Sequence, residues 1–171
     1  MMKNDAAIQP GNLVGEVRIE GVGKEYEKDG QVQTVLKDCA LRVEKGKLTV
    51  LMGPSGCGKT VLINLIAGYE MPTSGRIYLD DAPVAGPGAN RLVVFQEVAL
   101  FPWMTVFDNV AFGCRVQGAP KEATKERTNL ILKKVGLYEF RDKYPSQLSG
   151  GMQRRAELAR AMINGPDIMI L

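Results

Sequence analysis

The sequence predicts an α/β fold organised around a phosphate-binding loop, and three observations support that prediction. An apolar run at 48–52 precedes a glycine-rich segment at 53–60 that reads G-x-x-x-x-G-K-[ST]. The segment 61–67 is apolar on nearly every side and is followed by Gly68, which is typical of a buried helix with a glycine stop. Strand, loop and helix therefore follow one another in the order that a phosphate site of this kind requires.

The residues of the loop have different predicted roles in phosphate binding. They are Gly53, Pro54, Ser55, Gly56, Cys57, Gly58, Lys59 and Thr60. The glycines let successive N–H groups turn inward, because no Cβ obstructs the turn. Lys59 would bring a positive charge to the β- and γ-phosphates, and the Thr60 hydroxyl would ligate Mg²⁺. The flanking strand and helix disfavour a chance match. The loop alone leaves open whether the protein is a kinase, GTPase, helicase or transport ATPase.

Charge, cysteine spacing and the absence of long apolar runs indicate which partners and which cellular compartment to expect. The chain has 171 residues, a net charge of +3 and no run of basic residues interleaved with aromatics, so we expect no nucleic-acid partner. Its three cysteines lack a C-x-x-C spacing, which favours a reducing compartment. The sequence contains no apolar run of membrane-spanning length and no secretory signal. We therefore expect a cytoplasmic chain, unless a partner holds it at a membrane.

Strands are predicted on both sides of the loop. Residues 1–14 form a polar segment that we interpret as a flexible tail, and the domain is expected to occupy 15–171. Alternation of Val17 and Ile19 with charged neighbours indicates a half-buried strand. Further strands are predicted at 32–35, 39–43, 48–52, 76–79, 92–95 and from 168 onward, with 92–95 buried on both faces.

Helical patterns dominate from Pro102 onward. One helix is predicted over 121–134, with Pro120 at its first position and Gly136 as its stop. Its expected apolar side is Ala123, Leu130, Ile131 and Val135. A second helix begins near Ser149, and its expected buried residues are Met152, Ala156, Ala159 and Ile163.

The start of this second helix carries another anion-binding pattern, Leu148 to Gln153, which reads L-S-G-G-M-Q. Ser149 can cap the helix, while Gly150 and Gly151 leave bare N–H groups at its positive end. A plain serine-glycine helix start is the alternative. One phosphate loop needs only one such site, so the combination of the two motifs is informative.

With these motifs in this order, the chain from about residue 16 to 171 resembles the ATP-binding subunit of an ABC transporter. The resemblance implies a P-loop NTPase core with an N-terminal antiparallel β subdomain and a helical subdomain at about 103–165. In that family ATP lies between the phosphate loop of one subunit and the signature of a second subunit. The signature's predicted cofactor-binding residues are Ser149, Gly150, Gly151, Met152 and Gln153, with the first three on the partner's γ-phosphate.

Further site residues follow from the resemblance alone. It implies that Tyr26 stacks on adenine, and that Gln96 touches Mg²⁺ and the attacking water. Lys59 and Gln96 are then the catalytic candidates, and Thr60 and Gln96 the metal contacts. The alternatives are an ordinary strand tyrosine and a glutamine that merely ends its strand at the surface. Val61 belongs to the predicted cofactor-binding set but departs from the pattern, because many members carry a hydroxyl there that touches the α-phosphate.

The stretch 94–113 resembles the nitrate, sulfonate and taurine importer branch. This implies a transmembrane permease, a solute-binding protein acting through the permease, and a location on the inner face of the cell membrane. Phe101, Pro102 and Trp103 would lie near the surface that receives the permease, although such clusters are also typical of cores.

The family's strand that begins at Asp167 is expected to end in an Asp and a Glu that support hydrolysis, with a His further on. The sequence stops at Leu171, so it predicts a C-terminally truncated subunit that binds ATP and hydrolyses it slowly or undetectably. The alternatives are an ATP-binding fragment without turnover, and a soluble ABC-type ATPase of DNA repair or translation.

Overall fold

Residues 15–171 are described by a computed structural model, and they divide into two units. The first unit comprises residues 15–93 with 167–170, and the second comprises residues 94–166 with Leu171. The tail predicted at 1–14 lies outside the described residues.

An antiparallel sheet dominates the first unit. Its strands are β1 (Val17–Lys28), β2 (Gln31–Val43), β3 (Ser74–Leu79) and β4 (Ala82–Pro83), in the order β2-β1-β3-β4. Val17 and Ile19 are each 2% exposed while their neighbours are partly accessible, so the predicted alternation is confirmed. The strands predicted at 32–35 and 39–43 are one continuous strand, β2, in which Asp38 adopts a left-handed φ of 49° without ending the pairing.

Helix α1 (Lys59–Ala67) packs in the same core as this sheet. Leu62, Leu65 and Ile66 share that core with Ile19 and Ile77. Gly68 ends the helix at φ 79°, and a Cβ there would lie 2.2 Å from the Gly86 carbonyl oxygen. The predicted glycine stop is therefore confirmed, and no side chain fits at that position.

A short parallel pair completes the first unit, formed by β5 (Arg91–Val93) and β6 (Ile168–Ile170). The prediction of a strand over 92–95 buried on both faces is wrong in its extent and its burial. The strand ends at Val93 and pairs, among the described strands, with β6 alone, and Phe95 beyond it is 54% exposed. A strand with one neighbour keeps an open edge, so its side chains stay partly accessible.

The strand predicted at 48–52 is also absent. Leu48 and Met52 are 85% and 89% exposed, and no strand of the described chain pairs with this run. A strand forms only where its N–H and C=O groups find a neighbouring strand, so an apolar run by itself does not create one.

Three helices build the second unit: α2 (Val106–Val116), α3 (Lys121–Lys134) and α4 (Gly150–Met162). Their shared core is lined by Val106, Val110, Cys114, Ile131, Leu132, Leu137, Leu148, Ala156, Ala159 and Ile163. None of the helices within residues 15–171 has the length and apolar character needed to cross a membrane.

The predicted helix faces hold largely for α4 and only partly for α3. In α4, Ala156, Ala159 and Ile163 are buried as expected, whereas Met152 is half-buried. The bounds of α3 match the prediction, yet Pro120 is the N-cap residue, immediately before the first helical position, and Leu130 is 52% exposed. The buried face of α3 consists of Thr124, Thr128, Ile131 and Leu132. Its apolar stripe was mispredicted because threonines occupy inward positions, where the Thr128 hydroxyl donates to the Thr124 carbonyl at 2.7 Å.

Asn109 on α2 fastens the turn that precedes the helix. Its side chain is fully buried, its Oδ1 accepts the Phe101 N–H at 2.8 Å, and its Nδ2 lies 3.0–3.1 Å from three carbonyl oxygens. Those carbonyls belong to Phe101, Met104 and Thr105. The Phe101 and Thr105 carbonyls also accept the backbone N–H groups of Met104 and Asn109. The amide is therefore most important for the Phe101 N–H and the Met104 carbonyl.

Asn109→Ala is expected to lower the free energy of unfolding by about 2–3 kcal/mol, because the Phe101 N–H and the Met104 carbonyl lose their hydrogen-bond partner. Urea unfolding followed by circular dichroism measures the change. Asn129→Ala on α3 is the matched control and should cost less than about 1 kcal/mol. Equal losses in the two variants would contradict this role of Asn109.

Candidate functional site

The loop from Gly53 to Thr60 enters α1 through two left-handed glycines. Gly56 has φ 80° and Gly58 has φ 91°, a region that other L-residues rarely adopt. Gly58 is the N-cap residue of α1, and no side chain caps this helix. The first N–H groups of α1 are therefore not satisfied by a capping side chain, which is the arrangement that suits an anion.

Gly58 also allows the loop to lie directly on β2. A Cβ at this position would lie 2.8 Å from the Leu36 Cδ2 atom and 3.3 Å from the Val35 carbonyl oxygen. A larger residue would have to displace the Leu36 side chain and shift the Val35 carbonyl slightly. The packing of this glycine thus fixes where α1 begins.

Lys59 turns its ammonium group back into the loop. Nζ donates to the Gly53 carbonyl at 2.8 Å and the Pro54 carbonyl at 2.7 Å, and it lies 3.5 Å from Cys57 Sγ. The structure therefore brings four of the predicted loop residues together around one positive charge. Thr60 is exposed beside them.

Val61 packs against the hydrophobic core of the first unit. Its side chain is half-buried and packs against the cluster that contains Leu62 and Leu65. The departure from a hydroxyl residue noted in the sequence thus coincides with an apolar packing role.

Tyr26 lies near the end of β1 and is held by a cluster that the sequence did not indicate. Its hydroxyl donates to Glu70 Oε2 at 2.5 Å, and the other Glu70 oxygen accepts from Asn64 Nδ2 at 3.2 Å. Lys24 Nζ lies 3.3 Å from Glu70 and 4.9 Å from the Tyr26 ring centroid. One face of the ring is therefore occupied by a cation, and the predicted stacking on adenine would use the other face.

These contacts shift the acidity of both groups. The hydrogen bond from Tyr26, followed by the one from Asn64, lowers the pKa of Glu70 below its ordinary value, although burial opposes the change. The same bond to Glu70 raises the pKa of Tyr26. The carboxylate and the neutral phenol therefore stabilise each other.

The signature segment at the start of α4 is only partly turned outward. Ser149 is the N-cap, and its Oγ accepts the Met152 N–H at 3.4 Å. The Met152 side chain packs against the core of the second unit. Gln153 Nε2 donates to the Pro145 carbonyl at 2.8 Å and to the Leu148 carbonyl at 3.3 Å. Met152 therefore also contributes to the core of the second unit, and Gln153 also supports the turn before α4.

Gly150 and Gly151 are exposed, and the fold of the described chain does not require them to be glycines. A Cβ at either position would meet nothing within 4 Å, and neither residue has a positive φ. Glycine costs a helix up to about 1 kcal/mol relative to alanine. The packing of the described residues therefore gives no reason for bare backbone at this helix end.

Gln96 and the aromatic cluster lie in the second unit. Gln96 is exposed. The Phe101 ring centroid is 4.9 Å from that of Phe112 and 5.6 Å from that of Trp103, and the Arg160 guanidinium lies 5.1 Å from the Phe101 ring. Trp103 is 71% exposed. The structure therefore places the Trp103 ring at the surface of this unit.

Comparison with known proteins gives a consistent result. The profile described as "ABC transporter" matches residues 36–171. An uncharacterized ABC transporter ATP-binding protein of Methanocaldococcus jannaschii is 42% identical over the whole chain, which covers 64% of that protein. The taurine import ATP-binding protein TauB of Chromobacterium violaceum is 50% identical over 83% of this chain and 54% of its own length.

A solved structure shares the fold. It is a dimeric post-hydrolysis state of an ATP-binding cassette bound to ADP and Pi, with a TM-score of 0.74 and 30% identity. The match covers 90% of this chain and 72% of that chain. The chain thus spans between about half and two thirds of the length of these curated relatives.

Gly151→Ala is expected to stabilise the second unit by about 0.5 kcal/mol, because the new methyl group meets open space and the unfolded chain loses freedom. Urea unfolding measures the change. Gly68→Ala is the opposing control and should destabilise, since its Cβ would clash with the Gly86 carbonyl. A destabilising Gly151→Ala would show that the fold itself requires this glycine.

Tyr26→Phe is expected to raise the pKa of Glu70 toward its ordinary value, because the strongest hydrogen bond to the carboxylate is lost. Carboxyl ¹³C chemical shifts followed through an acid titration measure it. In the unmodified chain Glu70 stabilises the fold above its ordinary pKa, and this contribution disappears as the pH falls through the lowered value.

Asp80 is the internal control for this titration. Its pKa is lowered by Lys45 and by the Glu16 backbone N–H, and Tyr26→Phe should leave it unchanged. A Glu70 pKa that does not move in the variant would refute the role given to the tyrosine hydroxyl.

Proposed function

The chain belongs to the ABC transporter family, and from that premise we propose that it is the ATP-binding subunit that energises an importer of nitrate-, sulfonate- or taurine-like solutes. Members of the family hydrolyse ATP. The identity of 50% to a taurine import ATP-binding protein favours an importer over a soluble ABC ATPase of repair or translation.

The observation that carries the proposal is a pair of bare helix starts. Helix α1 begins at Gly58 without a side-chain cap, and α4 begins with two glycines that the described fold does not need. The phosphates of one nucleotide use one such helix end. The second helix end fits a nucleotide held by a second ATP-binding subunit, and the similar solved structure is dimeric.

The loop residues fit ATP and Mg²⁺ in distinct ways. Binding would require Lys59 to exchange its carbonyl partners at Gly53 and Pro54 for phosphate oxygens. The exposed Thr60 hydroxyl and the Gln96 amide would hold Mg²⁺, which, when bound, neutralises charge on the phosphates. Tyr26 would support adenine with the ring face opposite Lys24. The Val61 side chain lacks a hydrogen-bonding group, so its contribution would come from the backbone N–H.

The exposed aromatic patch suits the permease. Pro102 and Trp103 are exposed and stand beside Phe101. Amphipathic rings on a surface are typical of protein contacts. In this proposal the patch receives the cytoplasmic face of the permease, which holds the chain at the inner face of the membrane and connects it to a solute-binding protein.

Lys59→Ala is expected to weaken MgATP binding about 10- to 100-fold, because a charge-assisted hydrogen bond is lost. Isothermal titration calorimetry on the purified chain measures it. Lys47→Ala is the matched control, since Lys47 forms an exposed ion pair with Glu44 in the same unit. That control should bind as the unmodified chain does.

Phosphate release separates turnover from binding. If the chain hydrolyses ATP, its rate should exceed that of Lys59→Ala. Equal background rates together with intact ATP binding would replace the ATPase proposal with that of an ATP-binding protein without turnover. Absence of ATP binding in the unmodified chain would overturn the proposed function.

A further inference from the structure

We propose that Arg154 and Glu157, in the middle of α4, are positioning residues for Gln96, because together they fasten the backbone on both sides of it. The inference deepens the proposed function, since it rests on the role given there to Gln96.

The two side chains form an ion pair that holds both ends of a short span. Glu157 is 4% exposed, its Oε1 accepts the Ala99 N–H at 3.1 Å, and its Oε2 accepts from Arg154 Nη1 at 2.8 Å. The same Arg154 nitrogen donates to the Phe95 carbonyl at 2.5 Å. Between Phe95 and Ala99 lie Gln96, Glu97 and Val98, all exposed. The three-residue span is thus fixed at its ends while its side chains reach solvent.

A buried carboxylate is not needed to pack this part of α4. Its neighbours Ala156 and Ala159 are fully buried with apolar side chains, so burial on this helix does not itself call for a charge. Burying a charge costs free energy that an ion pair only partly recovers, whereas directed hydrogen bonds select one backbone arrangement. The pair is therefore better explained by what it holds than by the stability it adds.

Further hydrogen bonds hold the backbone on the C-terminal side of the span. Asn109 binds the N–H and the carbonyl of Phe101, two residues after Ala99. The backbone from Phe95 to Phe101 is thus held at three points, and the freedom of Gln96 is limited to its own side chain and its immediate neighbours.

The pair also links Gln96 to the signature. Gly150 opens the helix that carries Glu157 seven residues later, a separation of about 10 Å along the axis. A helix moves as a rigid element, so a displacement of α4 caused by a ligand at its N-terminus would carry the Gln96 span with it. The signature and Gln96 would then respond as one body.

The first test is amide hydrogen exchange at Ala99, measured by NMR on the nucleotide-free chain. Glu157→Ala should accelerate exchange about 10- to 100-fold, because a hydrogen bond to a charged acceptor is lost. Arg154→Met, which keeps the apolar stem, should also accelerate it. Glu157→Gln keeps an oxygen that accepts the Ala99 N–H and should restore most of the protection.

Arg155→Met is the matched control. Arg155 lies on the same helix and donates to the Val135 carbonyl at 2.8 Å, away from the span. Ala99 exchange should not change in this variant. Unaltered exchange in both Glu157→Ala and Arg154→Met, or equal acceleration in Arg155→Met, would overturn the inference.

The second test asks whether the pair acts through Gln96. The gain in ATP affinity on adding Mg²⁺, relative to ATP with a chelator, should fall in Gln96→Ala and by a similar factor in Glu157→Ala, with no further fall in the double variant. Additive losses, or an unchanged gain in Glu157→Ala, would overturn the positioning role.

The two proposals fail in different ways. A chain that binds no ATP refutes the proposed function, and with it the role in the nucleotide site that this inference gives to the pair. A chain that binds ATP normally but shows unaltered Ala99 exchange in the variants refutes only the inference.

Discussion

At Gly58 the chain meets three demands in one place: a left-handed φ, close contact with β2, and the start of a helix without a side-chain cap. Only glycine satisfies the first two together. The position of α1 follows from it, and so does the burial of Leu62 and Leu65 in the core shared with the antiparallel sheet. Lys59 and Thr60 come next in the chain, so the same constraint sets where their side chains begin. The absence of a side chain at Gly58 thus determines how α1 joins the sheet of the first unit.

Local signals explain which elements could be predicted from the sequence. Helix ends at Gly68 and Ser149 depend on residues within one turn, and both predictions were confirmed. Helix α2 was not delimited, although a local signal was present: the Thr105 hydroxyl accepts the Asp108 N–H at 3.1 Å. The strand expected at 48–52 failed for the opposite reason, because strands depend on distant partners that an apolar run does not specify.

The candidate site shows the same division. The phosphate loop and the signature are contiguous motifs, so the sequence alone could indicate both as candidate binding segments. Glu70 and Glu157 had no such signal, since they meet Tyr26 and Ala99 across 44 and 58 positions of sequence. Contacts of this kind arise only once strands and helices have packed, so the hydrophobic periodicity of the sequence does not predict them.

Residues of the single helix α4 contact several different parts of the second unit. Its first turn presents the signature glycines, its middle holds the Gln96 span, and Ala156 and Ala159 face the core. Arg160 in its last turn stands over the Phe101 ring, and burial lowers the pKa of this guanidinium. A tilt of this helix would therefore move its N-terminal glycines and the aromatic patch together.

The aromatic patch has an optical consequence. Trp103 is the only tryptophan in the chain, and its indole is 71% exposed. Emission excited at the red edge of the absorption spectrum therefore comes from one ring at one known position. Water around an exposed indole shifts that emission to long wavelength, and covering the ring with protein reverses the shift. The chain thus carries an intrinsic fluorophore that reports occupancy of this surface without any added label.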